Sequence, residues 1–341
     1  MRLGAWIMDR QRPFDAVLII AFGGPERPED VRPFIENVVR GKSMPRARIE
    51  QVVKHYEQFG GVSPVPAVTR RQAQGLGQRL RAGGIDMPIY VGMRNWHPFL
   101  AATLVEMAQA GVRRAIGFVA APHHSFPSCG QYRQTVRDAR RSLRERGLPD
   151  VGITYVDSWY EHPDFIRANA DHVREALGSL PEGLRDRVRI VFTAHSIPQA
   201  MADASCYRRQ LRASCLRVVE RLGPRDWALV YQSRSGRPQD EWLEPDVCDY
   251  LKDEHARGLQ AAVLAPIGFV IDHIEVLYDL DRRALGLCQE LSLPAVRART
   301  LNDDPALLDM MADLVRQTWE HYCRSIPLPI IARGTGKPPR P

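Results

Sequence analysis

Ala16-Val17-Leu18-Ile19-Ile20-Ala21-Phe22 is an unbroken apolar run that stops on Gly23-Gly24-Pro25. The run is short and closes on turn-forming residues, so it predicts a strand buried on both faces of a parallel sheet. Runs of the same kind recur at 88–92, 115–119 and 152–156, with stretches of helical period between them at 101–110 and 132–146. After about residue 157 the rhythm restarts, with strands predicted at 189–194, 227–231 and 261–265 and helices near 163–177, 205–222 and 306–324. Strands alternating with helices define an α/β chain. The restart makes it two lobes, each a parallel sheet flanked by helices, although no residue-level repeat links the halves.

The 341 residues exceed the usual size of one domain. With 44% hydrophobic and 26% charged residues, the chain is a soluble globular protein rather than a disordered or membrane one. The net charge of +7 suits an anionic partner, but the arginines are dispersed and form no stripe for nucleic acid. No stretch approaches the ~20 apolar residues of a membrane span. The piece Ala5-Trp6-Ile7-Met8 is closed at once by Asp9 and Arg10, too short for a signal-peptide core, so a cytoplasmic protein is expected. Cys129, Cys206, Cys215, Cys248, Cys288 and Cys323 include no CxxC pair and are expected to be reduced. The tail from Pro327 onward, rich in Pro, Gly and basic residues, is expected to fray.

Ligands of α/β sheets sit at the carboxyl ends of strands, so the segments just after each strand are the ones that carry chemistry. Several motifs fail. Gly41-Lys42-Ser43 resembles the end of a phosphate loop, but Glu36 stands where the first glycine is needed. No GxGxxG follows a strand, and Ser196 lacks the GxSxG turn of a hydrolase. His123-His124 are adjacent and suit a structural loop better than a shared metal.

One constellation holds. In Pro266-Ile267-Gly268-Phe269-Val270-Ile271-Asp272-His273-Ile274-Glu275-Val276-Leu277-Tyr278-Asp279-Leu280-Asp281, a strand end leads into a helical pattern. Asp272, Glu275 and Asp279 fall at i, i+3 and i+7, which predicts one shared helix face. A solvated acidic face is the bland alternative. Against it, the row starts at a strand's carboxyl end within an apolar sequence, where it would draw a divalent cation inward. His195, in Thr193-Ala194-His195-Ser196-Ile197-Pro198, also sits at a strand end, with the proline constraining its loop. By residue type it could equally be a core histidine; its position favours function.

Segments 193–198 and 266–281 together resemble the two signature segments of ferrochelatases. Phe22-Gly23-Gly24-Pro25-Glu26, Gly60-Gly61-Val62-Ser63-Pro64, and Tyr231-Gln232-Ser233-Arg234-Ser235-Gly236 leading into Trp242-Leu243-Glu244-Pro245 extend the resemblance, in the family's order, from about residue 15 to 325. The resemblance implies a chelatase-like fold of two Rossmann-like lobes with the porphyrin in the cleft between them. It places one lobe at 14–157, joined by a C-terminal helix at about 305–325, and the other at 158–304. It implies that Fe²⁺ is a substrate, that His195 and Glu275 face the metal position as catalytic and metal-binding groups, and that Asp272 and Asp279 mark the metal's route. Phe22, Arg40, His55, Tyr56, Ser63 and Tyr132 are the implied porphyrin contacts.

The chemistry agrees with these residue types. Metallation removes two pyrrole protons and strips water from the metal. A neutral histidine can accept protons near neutral pH, and a carboxylate supplies a charged oxygen as water leaves. Bending the ring, at a strain of ~1–5 kcal/mol, exposes its in-plane lone pairs. Whether His195 is chiefly base or ligand stays open.

Two substrates fit: protoporphyrin IX, with two propionates, and coproporphyrin III, with four. Gly92-Met93-Arg94-Asn95-Trp96-His97-Pro98 resembles the coproporphyrin branch of actinobacterial type, and the charged region 46–72 offers no apolar lip for a membrane. Coproporphyrin III is therefore the expected partner of a monomer without stable membrane association. The chain departs from the family twice. Phe22 stands where some coproporphyrin enzymes carry an iron-ligating tyrosine. Related actinobacterial enzymes hold a 2Fe–2S cluster on an internal cysteine, matched by Cys129, and three C-terminal ones, where this tail has only Cys323. Four thiolates are the norm, so no cluster is expected. Insertion of another metal into another tetrapyrrole, and a non-catalytic porphyrin carrier, are the competing readings.

Overall fold

A computed structural model describes residues 13–41, 45–235 and 239–324. Lys42 and Ser43 of the rejected phosphate motif, Gly236, the segment before residue 13 and the tail from Pro327 lie outside the described residues.

The first sheet holds β1 (Ala16–Ala21), β2 (Ile89–Met93), β3 (Arg114–Val119) and β4 (Gly152–Tyr155) in the order β2-β1-β3-β4, and every pair is parallel. The second holds β5 (Val188–His195), β6 (Trp227–Gln232), β7 (Ala261–Ala265) and β8 (Ala295–Arg297) in the order β6-β5-β7-β8, again all parallel. The two orders are the same topology, so the halves repeat in structure although not in sequence. The seven apolar runs became strands; β8, only three residues long and half-buried, gave no apolar signal. In each sheet the chain leaves the first strand for one neighbour and returns to the other side. The carboxyl ends of β1 and β5 are thus the switch points where a crevice opens.

Every residue of β1 is buried, as a strand covered on both faces requires. One hydrophobic core runs through both lobes: Val17, Ile19 and Phe118 of the first join Ile190, Phe192 and Val263 of the second through Phe165 and Ile166. The helix Pro163–Ser179, which carries those two residues, packs against the helices Tyr207–Leu222 and Pro305–Arg324. The latter also packs on the helix Pro64–Ala82 and on β3, although it follows the second sheet in sequence. Its contact with Pro64–Ala82 is close because position 75 is glycine: a Cβ there would meet Leu308 Cδ1 at 2.5 Å. Arg71–Asp303 at 2.7 Å flanks the seam.

Candidate active site

His195 is the last residue of β5, at the switch point. Tyr207 donates its hydroxyl to the His195 carbonyl at 3.1 Å, and the Ser196 N–H donates to the Gln232 carbonyl at 2.7 Å, so the backbone that carries the imidazole is held from two elements. The imidazole Nδ1 lies 2.5 Å from the Ser196 carbonyl. A carbonyl can only accept, so Nδ1 carries a proton, and in the neutral ring the lone pair is then on Nε2. Nε2 faces Glu275 Oε2 at 3.6 Å.

Glu275 belongs to a short helix, Ile274–Val276, that continues as a π-helix over Leu277–Ala284. π-Segments are rare and concentrate at functional sites. The fully buried Gln232 donates Nε2 to the Glu275 carbonyl at 3.1 Å, tying this segment to the end of β6. The Glu275 carboxylate stays half-exposed.

A second histidine completes the cluster, and sequence reasoning missed it. His273 Nε2 lies 3.5 Å from Glu275 Oε2, while its Nδ1 accepts from the Val276 N–H at 3.3 Å as the helix cap. An Nδ1 that accepts needs the proton on Nε2, so the two imidazoles meet Glu275 in opposite tautomers. Burial holds the His273 pKa below the ordinary histidine value, with Glu275 acting the other way; His273 is a neutral N–H aimed at the carboxylate. The motif Asp272-His273-Ile274-Glu275 held the signal, since a polar residue just before a helix is a cap.

The expected acidic row does not form. Asp272 precedes the helix, and its carboxylate is taken by Arg297 Nη1 at 2.7 Å and Asn302 Nδ2 at 2.9 Å. Asp279 is buried and accepts from Ser233 Oγ and from Arg283 Nη1, the latter at 3.2 Å. Of the three carboxylates, Glu275 alone faces the histidines. Asp272 anchors structure instead: Arg297, 13% exposed, bridges it to Asp281 at 2.5 Å. Arg297→Ala would leave two carboxylates facing each other uncompensated, and it should cost about 3–5 kcal/mol of stability. Urea unfolding checks this; an unshifted midpoint would show the bridge to be idle.

The remaining implied contacts divide. The Tyr56 and Tyr132 phenols have pKa values raised chiefly by burial and further by the Glu275 charge, so both lie within electrostatic reach of the carboxylate. Phe22 follows β1 and packs edge-on against Phe34 at 6.2 Å; Asn95 donates to its carbonyl through N and Nδ2. Ser63 is buried, capping Pro64–Ala82 through Val65 N–H at 3.4 Å, and a Cβ at Gly24 would strike it at 2.4 Å. Arg40 is exposed, with Nη2 on Asn37 Oδ1 at 2.5 Å. His55, on the helix Arg46–Glu57, stacks on Tyr278 of the π-helix at 3.6 Å. That contact joins the lobes, as does Arg282 lying over Phe59 at 5.6 Å. Cys129 is half-buried and Cys323 exposed; all six cysteines are free thiols.

Twin parallel sheets of one order, with an imidazole and a carboxylate facing each other beyond the strand ends, make up a chelatase-like fold. Two solved structures of the sirohydrochlorin chelatase SirB from Bacillus subtilis share this fold, with TM-scores of 0.53 and 0.54 over 90% and 89% of this chain and 95% of each of theirs, at 8% and 10% identity. The ferrochelatase family profile matches residues 14–319, and the chain belongs to that family. A "Ferrochelatase" from Rhodopirellula baltica is 44% identical over 314 residues, 91% of this chain and 88% of the relative. "Coproporphyrin III ferrochelatases" from Nocardia farcinica and Streptomyces coelicolor are 44% and 43% identical, over 89% of this chain and 88% and 85% of theirs.

Proposed function

We propose that this protein inserts Fe²⁺ into coproporphyrin III to give coprohaem, with His195 and Glu275 at the metal. The observation that carries this reading is the facing pair at 3.6 Å, with the His195 proton parked on the Ser196 carbonyl. The free Nε2 lone pair can take a pyrrole proton, and Glu275 offers the entering metal a charged oxygen as its water leaves. His273, a neutral N–H donor to the same carboxylate, orients it without cancelling its charge. Tyr56 and Tyr132 line the cleft where the macrocycle sits.

The coproporphyrin assignment is supported by relatives of that name at 35–44% identity and by the net charge of +7, which suits the more anionic porphyrin. Phe22 has no atom able to ligate iron, so no axial ligand comes from the end of β1. No iron–sulfur cluster is proposed, since the C-terminal tail offers only Cys323 where the related enzymes carry three cysteines. Among the described residues no helix is long and apolar enough to cross a membrane.

The test is purified protein with Fe²⁺ under anaerobic conditions, following the metalloporphyrin spectrum with each porphyrin. Coproporphyrin III should turn over at least about tenfold faster than protoporphyrin IX, a preference of about 1.4 kcal/mol. The opposite preference would reassign the substrate, and no turnover with either would leave a carrier.

A further inference from the structure

Asn302 lies in the turn between β8 and the C-terminal helix, with a left-handed backbone at a φ of 48°. Few residues other than glycine enter that region, and asparagine is one of them. A glycine would serve the turn alone; the asparagine side chain does more. Its Oδ1 accepts the Asp272 N–H at 3.0 Å, and its Nδ2 donates to Asp272 Oδ2 at 2.9 Å. Its own N–H donates to the Val270 carbonyl at 2.7 Å. These hydrogen bonds fix residues 270–272, directly before His273 and Glu275. An amide can both accept from an N–H and donate to a carboxylate; aspartate would set two negative charges together, and leucine would serve neither group. The same turn is gripped from the first lobe. Gln72, buried on the helix Pro64–Ala82, donates Nε2 to the Asn302 carbonyl at 2.5 Å. Its neighbour Arg71 holds both carboxylate oxygens of Asp303, at 2.7 and 3.1 Å.

We propose that Asn302 is a positioning residue for metal insertion. By clasping residues 270–272 to a turn that Gln72 ties to the first lobe, it sets where the Glu275 carboxylate stands relative to the lobe carrying Tyr56 and Tyr132. The proposal rests on the reading of His195 and Glu275 as the metal site. Such a clasp is needed because Glu275 sits in a helix of only three residues, Ile274–Val276, before the π-helix begins. A single turn is too short to hold its own geometry. Glu275 Oε2 must keep its place against His195 Nε2 at 3.6 Å and His273 Nε2 at 3.5 Å. A displacement of about 1 Å at a reacting centre can cost about a hundredfold in rate. A left-handed asparagine is the kind of local strain that persists where the surroundings hold a functional segment in place.

The experiment compares wild type, Asn302→Gly, Glu275→Gln and the double variant in steady-state iron insertion, with amide hydrogen exchange on each ligand-free protein. Asn302→Gly keeps the left-handed turn and its backbone hydrogen bonds and removes only the side-chain pair with Asp272. It should lower kcat about tenfold while the porphyrin KM stays within about twofold. Amides 272–276 should exchange about tenfold faster, with those of β5 unchanged. If Asn302 acts by placing Glu275, the double variant is no slower than Glu275→Gln alone, within about twofold. A merely structural role would instead multiply the two losses. Gln72→Met, which frees the Asn302 carbonyl but keeps the side-chain pair, should show the same pattern at about a threefold loss in kcat; it decides the matter if the glycine variant does not fold. A normal kcat in either variant, a loss carried by the porphyrin KM, or multiplied losses in the double variant would each overturn the proposal. Hydrogen exchange judges the clasp even if the wild type proves inactive. An active wild type beside uncoupled variants would sink Asn302 and leave the function standing.

Discussion

Replacing His195 with alanine lowers iron insertion by roughly 10²–10⁴-fold, the range for removing a positioned general base, while porphyrin affinity changes little. With Nδ1 committed to the Ser196 carbonyl, the neutral imidazole offers its lone pair at Nε2. His273 cannot replace it, since its Nδ1 is spent on the Val276 N–H and its Nε2 carries the proton. Steady-state turnover and porphyrin binding measured on one preparation separate chemistry from affinity. Activity retained within about threefold would mean that the reacting centre lies elsewhere.

Glu275→Gln should cost about two decades in turnover, with the fold intact. A unit charge 4 Å from another is worth ~4 kcal/mol at an effective dielectric of 20, or about three decades; the half-exposed carboxylate is partly screened, which removes one of them. Glutamine keeps the volume and an oxygen, so the loss reports charge rather than packing. Gln232 holds the Glu275 backbone carbonyl rather than its side chain, so the segment should stay in place. If His195 and Glu275 act on the same metal entry, the double variant loses less than the two single losses combined. A Gln variant with a normal rate would remove Glu275 from the metal.

Much of the fold was legible because buried parallel strands announce themselves locally. β1, β5 and β7 are nearly continuous apolar runs ending at polar or turn residues, and their ends located His195. The helix Pro64–Ala82 was not legible: it opens on Pro64-Val65-Pro66 and carries Gly75 and Gly77, residues that weaken a helical pattern in water. They are tolerated because Ser63 caps the start and the C-terminal helix closes on Gly75. The acidic row was misread for a related reason. A spacing of i, i+3 and i+7 predicts a shared face only if the helix has begun, and here His273 caps it one residue after Asp272.

The sequence by itself determined the two-lobed α/β architecture, the strand ends where chemistry collects, and His195 and Glu275 as the pair to examine. The lobes and strand ends follow from local periodicity, whereas the pairing of His195 with Glu275 is what the resemblance to the ferrochelatase segments implies. The tertiary structure alone decided which charged groups are free to act. Asp272 was removed from the site by Arg297 and Asn302, twenty-five and thirty positions away, and Asp279 by Ser233, forty-six positions away. Pairing of charges depends on distance in space and on burial, and no pattern along the chain encodes either one.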